Sequence, residues 1–266
     1  YASILERLST KAVRAQLPIG LESDFTGIID LLTMKAYRFD GPMGEKVSTE
    51  EIPANMLEEA KKYRGEFIER IVENDDAAMN EYLEGKEIPV ERLKTLLRQA
   101  VIKNLIFPVL CGSSLKNKGV QLVLDSVVDY LPSPLDLPSA KGINPDTGEE
   151  VIRESADGTP FSALVFKLQV DPFVGALSFF RVYSGSVSAG DTILNAATGK
   201  KERVGRIVRL QADKREELKT VYAGEIAAAV GMKEVKIGHT ICDPAHPVAL
   251  ESIVFPQPVI SMRVEP

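Results

Sequence analysis

The sequence predicts two folding units in series: an α/β unit with a helical insertion, followed by an all-β barrel. In the first unit, an apolar run at 106–110 precedes a polar loop and an amphipathic helix that begins at Val120. Strand, loop and helix in this order form half of an α/β unit. Beyond residue 160, apolar residues recur with a period of two between glycine-containing turns, which is typical of short strands in a barrel. A chain of 266 residues with 44% hydrophobic residues has room for about two domains.

The segment before residue 106 changes from extended to helical. Residues 1–8 are predicted to end a helix, 17–20 to end a short strand, and 25–39 to form one or two strands. Pro53 suits the first turn of a helix, and the apolar spacing after it becomes helical. Three helices are therefore expected: one after Pro53, one over about 76–84 and one from Val90.

The run at 106–110 is predicted to be a buried strand, because strands of a parallel sheet are usually covered on both faces. The helix that follows has a strong apolar side, which we expect to face the core. Its members are Val120, Val123, Leu124, Val127, Val128 and Leu131.

The stretch 132–160 contains five prolines and three glycines, a density that indicates a connection between domains. Beyond it, Leu164, Phe166, Leu168 and Val170 alternate with Val165, Lys167 and Gln169, which is the period of two expected of a strand. We therefore divide the chain into a first domain at 1–135 with an insertion over about 21–104, a linker at 136–160, and a barrel at 161–266.

Composition excludes several classes of protein. The longest run without a charged residue, 104–115, is too short to span a membrane, and Glu6 and Arg7 interrupt any signal-peptide core. Two cysteines do not suggest a secreted disulfide scaffold, so we expect a cytoplasmic protein. The chain begins at Tyr1 and ends in a predicted strand at 263–266, and we expect it to be part of a longer protein.

The net charge of −6 conceals two regions of opposite charge. Residues 45–91 hold 14 acidic and 6 basic side chains, whereas residues 200–219 hold 8 basic and 4 acidic ones. The acidic helices suggest a surface for a basic partner, or simply a solvated face. The basic run suggests contact with RNA phosphates, or again a solvated face. Its candidate residues are Lys200, Lys201, Arg203, Arg206, Arg209, Lys214 and Arg215.

Searches for catalytic and metal motifs give weak matches. Residues 185–192 approach the pattern of a phosphate loop, but Asp191 stands where the phosphate-binding lysine is required. Residues 24–27 read D-F-T-G without a phosphate loop before them, and 117–120 read N-K-G-V without the aspartate that would pair with guanine. The three residues His239, Cys242 and His246 lack the spacing of a structural zinc site. We expect no catalytic residue and no metal site here.

Longer blocks of sequence resemble bacterial-type translation elongation factor G. Residues 25–31 (F-T-G-I-I-D-L) with Met34, Lys35 and Ala36 resemble its inserted subdomain. Residues 111–120 (C-G-S-S-L-K-N-K-G-V) are similar to its fifth guanine-nucleotide motif, and 129–134 (D-Y-L-P-S-P) to the exit of its G domain. Blocks that resemble its second domain occur at 171–175, 180–185 and 212–217.

This resemblance implies an incomplete P-loop GTPase-type domain with its insertion, followed by a Greek-key barrel. It implies that the phosphate loop, the switch regions and the GTP and magnesium sites belong to a part of the parent before Tyr1. The parent would hydrolyse GTP to drive ribosomal translocation of tRNA and mRNA, whereas this chain would be non-catalytic and hold no cofactor. The residual nucleotide contact would be the backbone N–H groups of Gly112, Ser113 and Ser114, which the family uses to read guanine.

The resemblance also implies partners. The helix after Pro53 would meet the ribosomal stalk protein through Glu58, Glu59, Glu66, Glu69 and Glu73. The barrel would contact small-subunit ribosomal RNA through the basic run, and the remaining domains of the parent would pack nearby; no membrane is involved. Two alternatives stay open: another translation GTPase, such as a ribosome-protection or release-recycling factor, and a non-catalytic RNA-binding adaptor.

Overall fold

The computed structural model describes residues 1–171, 175–212, 214–251, 260 and 262–263. The chain divides into two compact units, Tyr1–Pro132 and Ser133–Pro266. The predicted strand at 263–266 lies almost wholly outside the described residues, and the resemblance block at 171–175 lies largely outside them.

Two small sheets and five helices form the first unit. Its strands are β1 (Ala12–Arg14), β2 (Gln16–Ile19), β3 (Gly27–Asp30), β4 (Lys35–Asp40), β5 (Lys46–Glu50) and β6 (Phe107–Val109). Its helices are α1 (Ala2–Arg7), α2 (Leu57–Val72), α3 (Asp76–Leu83), α4 (Val90–Ile102) and α5 (Val120–Tyr130). Strands β1 and β6 pair in parallel, whereas β2 to β5 form an antiparallel sheet in sequence order. The whole helical insertion therefore lies, in sequence, between two strands that are neighbours in space.

The three expected helices of the insertion are confirmed, and local sequence explains them. Helix α2 buries its apolar side through Phe67, Ile71 and Val72. The Asp75 side chain caps α3 by accepting a hydrogen bond from the Ala78 N–H at 2.8 Å. Helix α4 has five buried apolar residues on one side, and all three helices contribute to one hydrophobic core.

The predicted burial of α5 is wrong. Val123, Leu124, Val127, Val128 and Leu131 are all exposed, with Leu124 at 61% and Val128 at 78%. The helix instead packs through Leu122 and Tyr130. The physical reason is that the parallel sheet has only two strands in the described residues, which is too narrow to cover this side of the helix. For the same reason Phe107 of β6 is 40% exposed, contrary to the prediction of a fully buried strand.

The second unit is built from antiparallel strands. They are β7 (Ala140–Ile143), β8 (Glu150–Arg153), β9 (Ser162–Asp171), β10 (Gly175–Ser184), β11 (Ser186–Ser188), β12 (Thr192–Asn195), β13 (Lys200–Arg203), β14 (Ile207–Gln211), β15 (Lys214–Leu218), β16 (Thr220–Tyr222), β17 (Ile226–Val230), β18 (Thr240–Cys242) and β19 (Ala249–Leu250). Eight of them form one sheet in the order β13-β12-β18-β9-β10-β17-β14-β15. Its inner side encloses one core that includes Phe180, Val182 and Ile207, an arrangement consistent with a domain II-like β-barrel.

The predicted linker contains regular structure. Strands β7 and β8 form a hairpin that joins β19 in a three-stranded sheet. Asn144 and Gly148 shape the turn, since the Gly148 N–H donates to the Asn144 carbonyl at 2.8 Å and Gly148 has a φ of +75°. The high content of proline and glycine therefore reflects turns around a hairpin as well as a connection.

Candidate functional site

The loop after β6 is held in a tight turn beside the start of α5. The Ser113 N–H donates to the Lys118 carbonyl at 2.8 Å, and the Lys118 N–H donates back to the Ser113 carbonyl at 3.0 Å. Gly119, directly before the first residue of α5, has a φ of +86°. A Cβ there would lie 2.5 Å from Cδ1 of Ile28 and 3.0 Å from the Cys111 carbonyl, so a side chain at this position is excluded.

This turn decides which of the three predicted guanine-reading N–H groups can bind a ligand. The Ser113 N–H is already used within the loop. The N–H groups of Gly112 and Ser114 have no acceptor among the described residues, and both residues are exposed. Because the loop follows the carboxyl end of a parallel strand, these two donors stand at the edge where α/β sheets bind ligands.

Cys111 belongs to the support of this loop rather than to its chemistry. Its N–H donates to Oε1 of the buried Gln16 at 3.2 Å. Burial raises the pKa of the Cys111 thiol to about 11, so the thiol stays protonated at neutral pH and is a poor nucleophile or metal ligand. Gln16 thus ties the start of β2 to the start of the loop.

The five predicted stalk-binding carboxylates all lie on exposed positions of α2 or at its end. Glu58 forms an ion pair with Lys61 at 2.8 Å and Glu73 with Arg70 at 2.9 Å. Glu69 accepts a hydrogen bond from the Tyr82 hydroxyl at 3.3 Å. Glu59 and Glu66, two turns apart on one side of the helix, form no ion pair with other described residues. They are the two carboxylates most available to a basic partner.

A cleft of about 350 Å³ lies against this side of α2 and includes Glu66 and Glu69 in its wall. Sequence reasoning missed its central feature. The Arg14 guanidinium stacks between two aromatic rings, 3.7 Å from the centroid of Tyr63 and 4.4 Å from that of Tyr1. Such cation–π contacts fix Arg14 in place, which brings a cation close to the acidic side of the helix.

The structure divides the predicted RNA-contacting residues into two groups. Arg209 lies within β14 and pairs with Glu216 at 3.4 Å and with Glu225 at 2.5 Å. Arg215 lies in β15 and pairs at 2.6 Å with Asp171, a carboxylate that is only 7% exposed.

The other predicted cations are less engaged with carboxylates. Lys200 pairs with Glu234 at 3.0 Å, and the Nε of Arg203 donates to the Gly190 carbonyl at 2.9 Å. Lys201, Arg206 and Lys214 are exposed and form no ion pair with other described residues.

The remaining motifs found in the sequence take ordinary structural roles. Residues 185–192 form the turns around β11, where Asp191 accepts the Ser188 N–H at 2.8 Å. Nδ1 of His239 lies 3.1 Å from Nδ2 of Asn195, and His246 contacts Asp243. The described part of the chain contains no group of three or more His, Cys, Asp or Glu side chains that could hold a metal ion. No helix in that part is long and apolar enough to cross a membrane.

Comparison with known proteins gives a family match and a set of similar solved structures. Residues 160–244 match the family model of elongation factor G domain 2. The fold is similar to the crystal structure of ttk003000868 from Thermus thermophilus, with a TM-score of 0.71 and 27% sequence identity. The match covers 91% of this chain but 34% of the Thermus chain, so the chain spans about a third of the length of that protein.

These findings support a domain of the elongation factor G domain 2 type within this chain, at residues 160–244. The matched residues include most of the barrel, from the start of β9 to just beyond β18.

Proposed function

We propose that this chain is part of an elongation factor G-type translation GTPase. It would contain the end of a P-loop GTPase-type domain with its insertion (1–135), a connection (136–160) and the Greek-key domain II barrel (161–266). The observation that carries this proposal is the order of parts: two parallel strands with a helical insertion between them, followed by the barrel that matches elongation factor G domain 2. The parent would hydrolyse GTP to drive translocation, and this chain would bind without catalysis.

The loop after β6 supports a residual role in reading guanine. The N–H groups of Gly112 and Ser114 fit a carbonyl acceptor such as guanine O6, since both are exposed and unused among the described residues. One such hydrogen bond contributes about 1 kcal/mol net, far less than nucleotide binding requires. We assign the phosphates and the magnesium ion to the phosphate loop and switch regions of the parent.

The exposed apolar side of α5 supports the proposal that the rest of the parent's nucleotide-binding domain packs there. Parallel sheets are normally covered on both faces, and Leu124, Val127 and Val128 offer an apolar stripe beside a sheet of only two described strands. Further strands beside β1 or β6 would widen the sheet and cover this stripe.

Two partner surfaces follow from the same proposal. The stalk protein would meet α2, mainly at Glu59 and Glu66, and small-subunit ribosomal RNA would meet the barrel. The proposal is tested by sedimenting the chain with bacterial ribosomes and by adding full-length elongation factor G as a competitor. We expect the chain to co-sediment and to be displaced. Absence of co-sedimentation at micromolar ribosome concentration contradicts the proposal.

The stalk surface has its own test. Replacement of Glu59→Gln together with Glu66→Gln removes two carboxylates that have no ion pair among the described residues, without changing side-chain size. We therefore expect at least a fivefold loss of binding to the isolated C-terminal domain of the stalk protein. The matched control is Glu149→Gln with Glu154→Gln, two exposed carboxylates of the second unit. Equal loss in both variants contradicts a specific site on α2.

A further inference from the structure

The basic run at 200–219 consists of two regions with different charge balance. The hairpin of β14 and β15, over 207–218, holds three basic and three acidic residues, and its two arginines pair with Glu216, Glu225 and Asp171. Paired charges of this kind leave little net field for an anion. The segment 200–206 has four basic residues and one acidic residue, so the excess positive charge lies there.

A second basic segment, the loop 231–238, runs beside 200–206. Two contacts join the segments directly, and a third comes from Val230, the residue before the loop. The Val230 N–H donates to the Arg206 carbonyl at 2.9 Å, the Lys233 N–H donates to Oε1 of Glu202 at 2.6 Å, and Lys200 pairs with Glu234 at 3.0 Å. The loop contributes Lys233 and Lys236, neither of which belongs to the run identified in the sequence.

The barrel core fixes the direction of these lysines. Met232 and Val235 are 6% and 7% exposed and belong to the barrel core, whereas Lys233 and Lys236 beside them are exposed. The loop is further held by Nδ2 of the buried Asn195, which donates to the Glu234 carbonyl at 2.9 Å. The lysines are therefore displayed from a rigid support.

The two carboxylates in this region do not neutralise it. Glu202 accepts the Lys233 N–H through one oxygen, and its other oxygen is buried without a hydrogen-bond partner among the described residues. Glu234 is occupied by Lys200. Together the segments 200–206 and 231–238 hold six basic and two acidic residues. Lys201, Arg206, Lys233 and Lys236 form no ion pair with other described residues.

We propose that these two segments form one phosphate-binding surface for RNA, which we call the basic ledge. It consists of Lys200, Arg206, Lys233 and Lys236, flanked by Lys201 and Arg203 on the other face of β13. This proposal rests on the proposed function. It places the RNA contact on these two segments instead of on the β14–β15 hairpin, and it adds Lys233 and Lys236 to the contacting residues. Phosphate contacts of this kind are independent of sequence and strongly dependent on salt.

RNA fits the basic ledge better than an acidic protein does. Protein interfaces usually have apolar or aromatic anchors at their centre. On the loop, Met232 and Val235 turn inward, and Ile237, at 39% exposure, is its one exposed large apolar side chain. The surface therefore consists mainly of flexible cations, which suits a phosphate backbone.

The test compares two double variants with the same change in charge. Lys233→Gln with Lys236→Gln removes two cations from the basic ledge, and Lys214→Gln with Lys219→Gln removes two exposed cations outside it. Binding to a labelled RNA duplex of about 20 base pairs, longer than the ~16 that a single RNA-binding module spans, is measured at rising salt. The affinity falls as salt rises, and each lost phosphate contact makes the negative slope of log K against log salt shallower by roughly 0.7 to 1. We expect the ledge variant to lose roughly 1.5 in slope and at least tenfold in affinity at low salt, and the control to change less than twofold.

Ribosome co-sedimentation of the same proteins separates failure of this inference from failure of the proposed function. If the unaltered chain binds ribosomes but the two variants bind duplex RNA equally well, the basic ledge is wrong and the proposed function stands. If the unaltered chain binds neither ribosomes nor RNA, both are wrong. Loss of binding to polyglutamate but not to RNA in the ledge variant overturns the inference in favour of an acidic protein partner.

Discussion

The barrel of the second unit and the α/β part of the first unit differ in how completely they cover their apolar side chains. Phe180, on the inner side of the barrel, is fully buried, whereas Leu124 of α5 is 61% exposed. A sheet that curls on itself covers the apolar side chains of its own strands. A parallel sheet needs further strands and helices to cover its apolar side chains. An amphipathic sequence therefore shows which side of a helix or strand is suited to burial. The topology of the sheet decides whether that side is actually covered.

The largest effect is expected in the barrel core. Phe180→Ala would remove a fully buried aromatic ring, and such truncations cost about 3–5 kcal/mol of unfolding free energy. Urea unfolding followed by circular dichroism measures the change. A cost below about 1 kcal/mol would mean that the barrel is not the closed core described here.

The exposed helix face is expected to respond in the opposite way. Leu124→Ala should cost less than about 0.5 kcal/mol, as at other surface positions, because little of its side chain is buried in this chain. The matched control is Leu93→Ala in α4, where the leucine is fully buried and the expected cost is about 2–5 kcal/mol. Similar costs at the two leucines would show that α5 is already covered in the isolated chain.

An effect smaller than those of the buried Phe180 and Leu93 truncations is expected at the polar edge of the barrel. Arg215→Ala would leave Asp171, which is 7% exposed, without its 2.6 Å partner. Because the Arg215 side chain is 37% exposed, solvent screens the pair and we expect a loss of about 1–2 kcal/mol rather than the full cost of a buried charge. Lys214→Ala, at an exposed position in the same strand, should change stability by less than about 0.5 kcal/mol. A larger loss at Lys214 than at Arg215 would contradict the described pairing.

The smallest effect concerns pH and the loop of the basic ledge. Burial, with the nearby Lys236 as a second cause, lowers the pKa of His239, and the neutral ring accepts the Lys236 N–H at 3.3 Å. The unfolded chain, with a histidine pKa of about 6.5, therefore binds the proton first on acidification. The stability from His239 is fully present above about pH 6.5 and is lost as pH falls through the folded-state pKa. His239→Gln should flatten this part of the stability profile; an unchanged profile would contradict the assignment.

The helices of the insertion could be predicted because their signals are local. The spacing of apolar residues in α2 and α4 and the cap at Asp75 each lie within a few residues of the element that they define. The hairpin of β7 and β8 was missed because its Asn144–Gly148 turn lies among prolines that also indicate a linker. The exposed side of α5 does not follow from the spacing of its apolar residues, since the sequence of a helix does not say which strands lie beside it.

The candidate site was predictable in part for a similar reason. Charge density alone locates the basic run, but pairing across strands decides which cations remain available. Arg209 meets Glu225 and Arg215 meets Asp171 over separations of 16 and 44 residues. Lys233 and Lys236 were missed because they lie outside the run, although their alternation with Met232 and Val235 marks a segment with one buried side.

The most direct test of the account is a titration of a fluorescent GDP analogue against this chain in magnesium buffer, with a known GTPase as the positive control. The proposed function gives the chain a guanine-reading loop at Gly112 and Ser114 without the phosphate site of the parent. It therefore predicts no binding up to millimolar nucleotide. Micromolar binding would contradict it, because the chain would then contain a phosphate site of its own and the non-catalytic assignment would lose its basis.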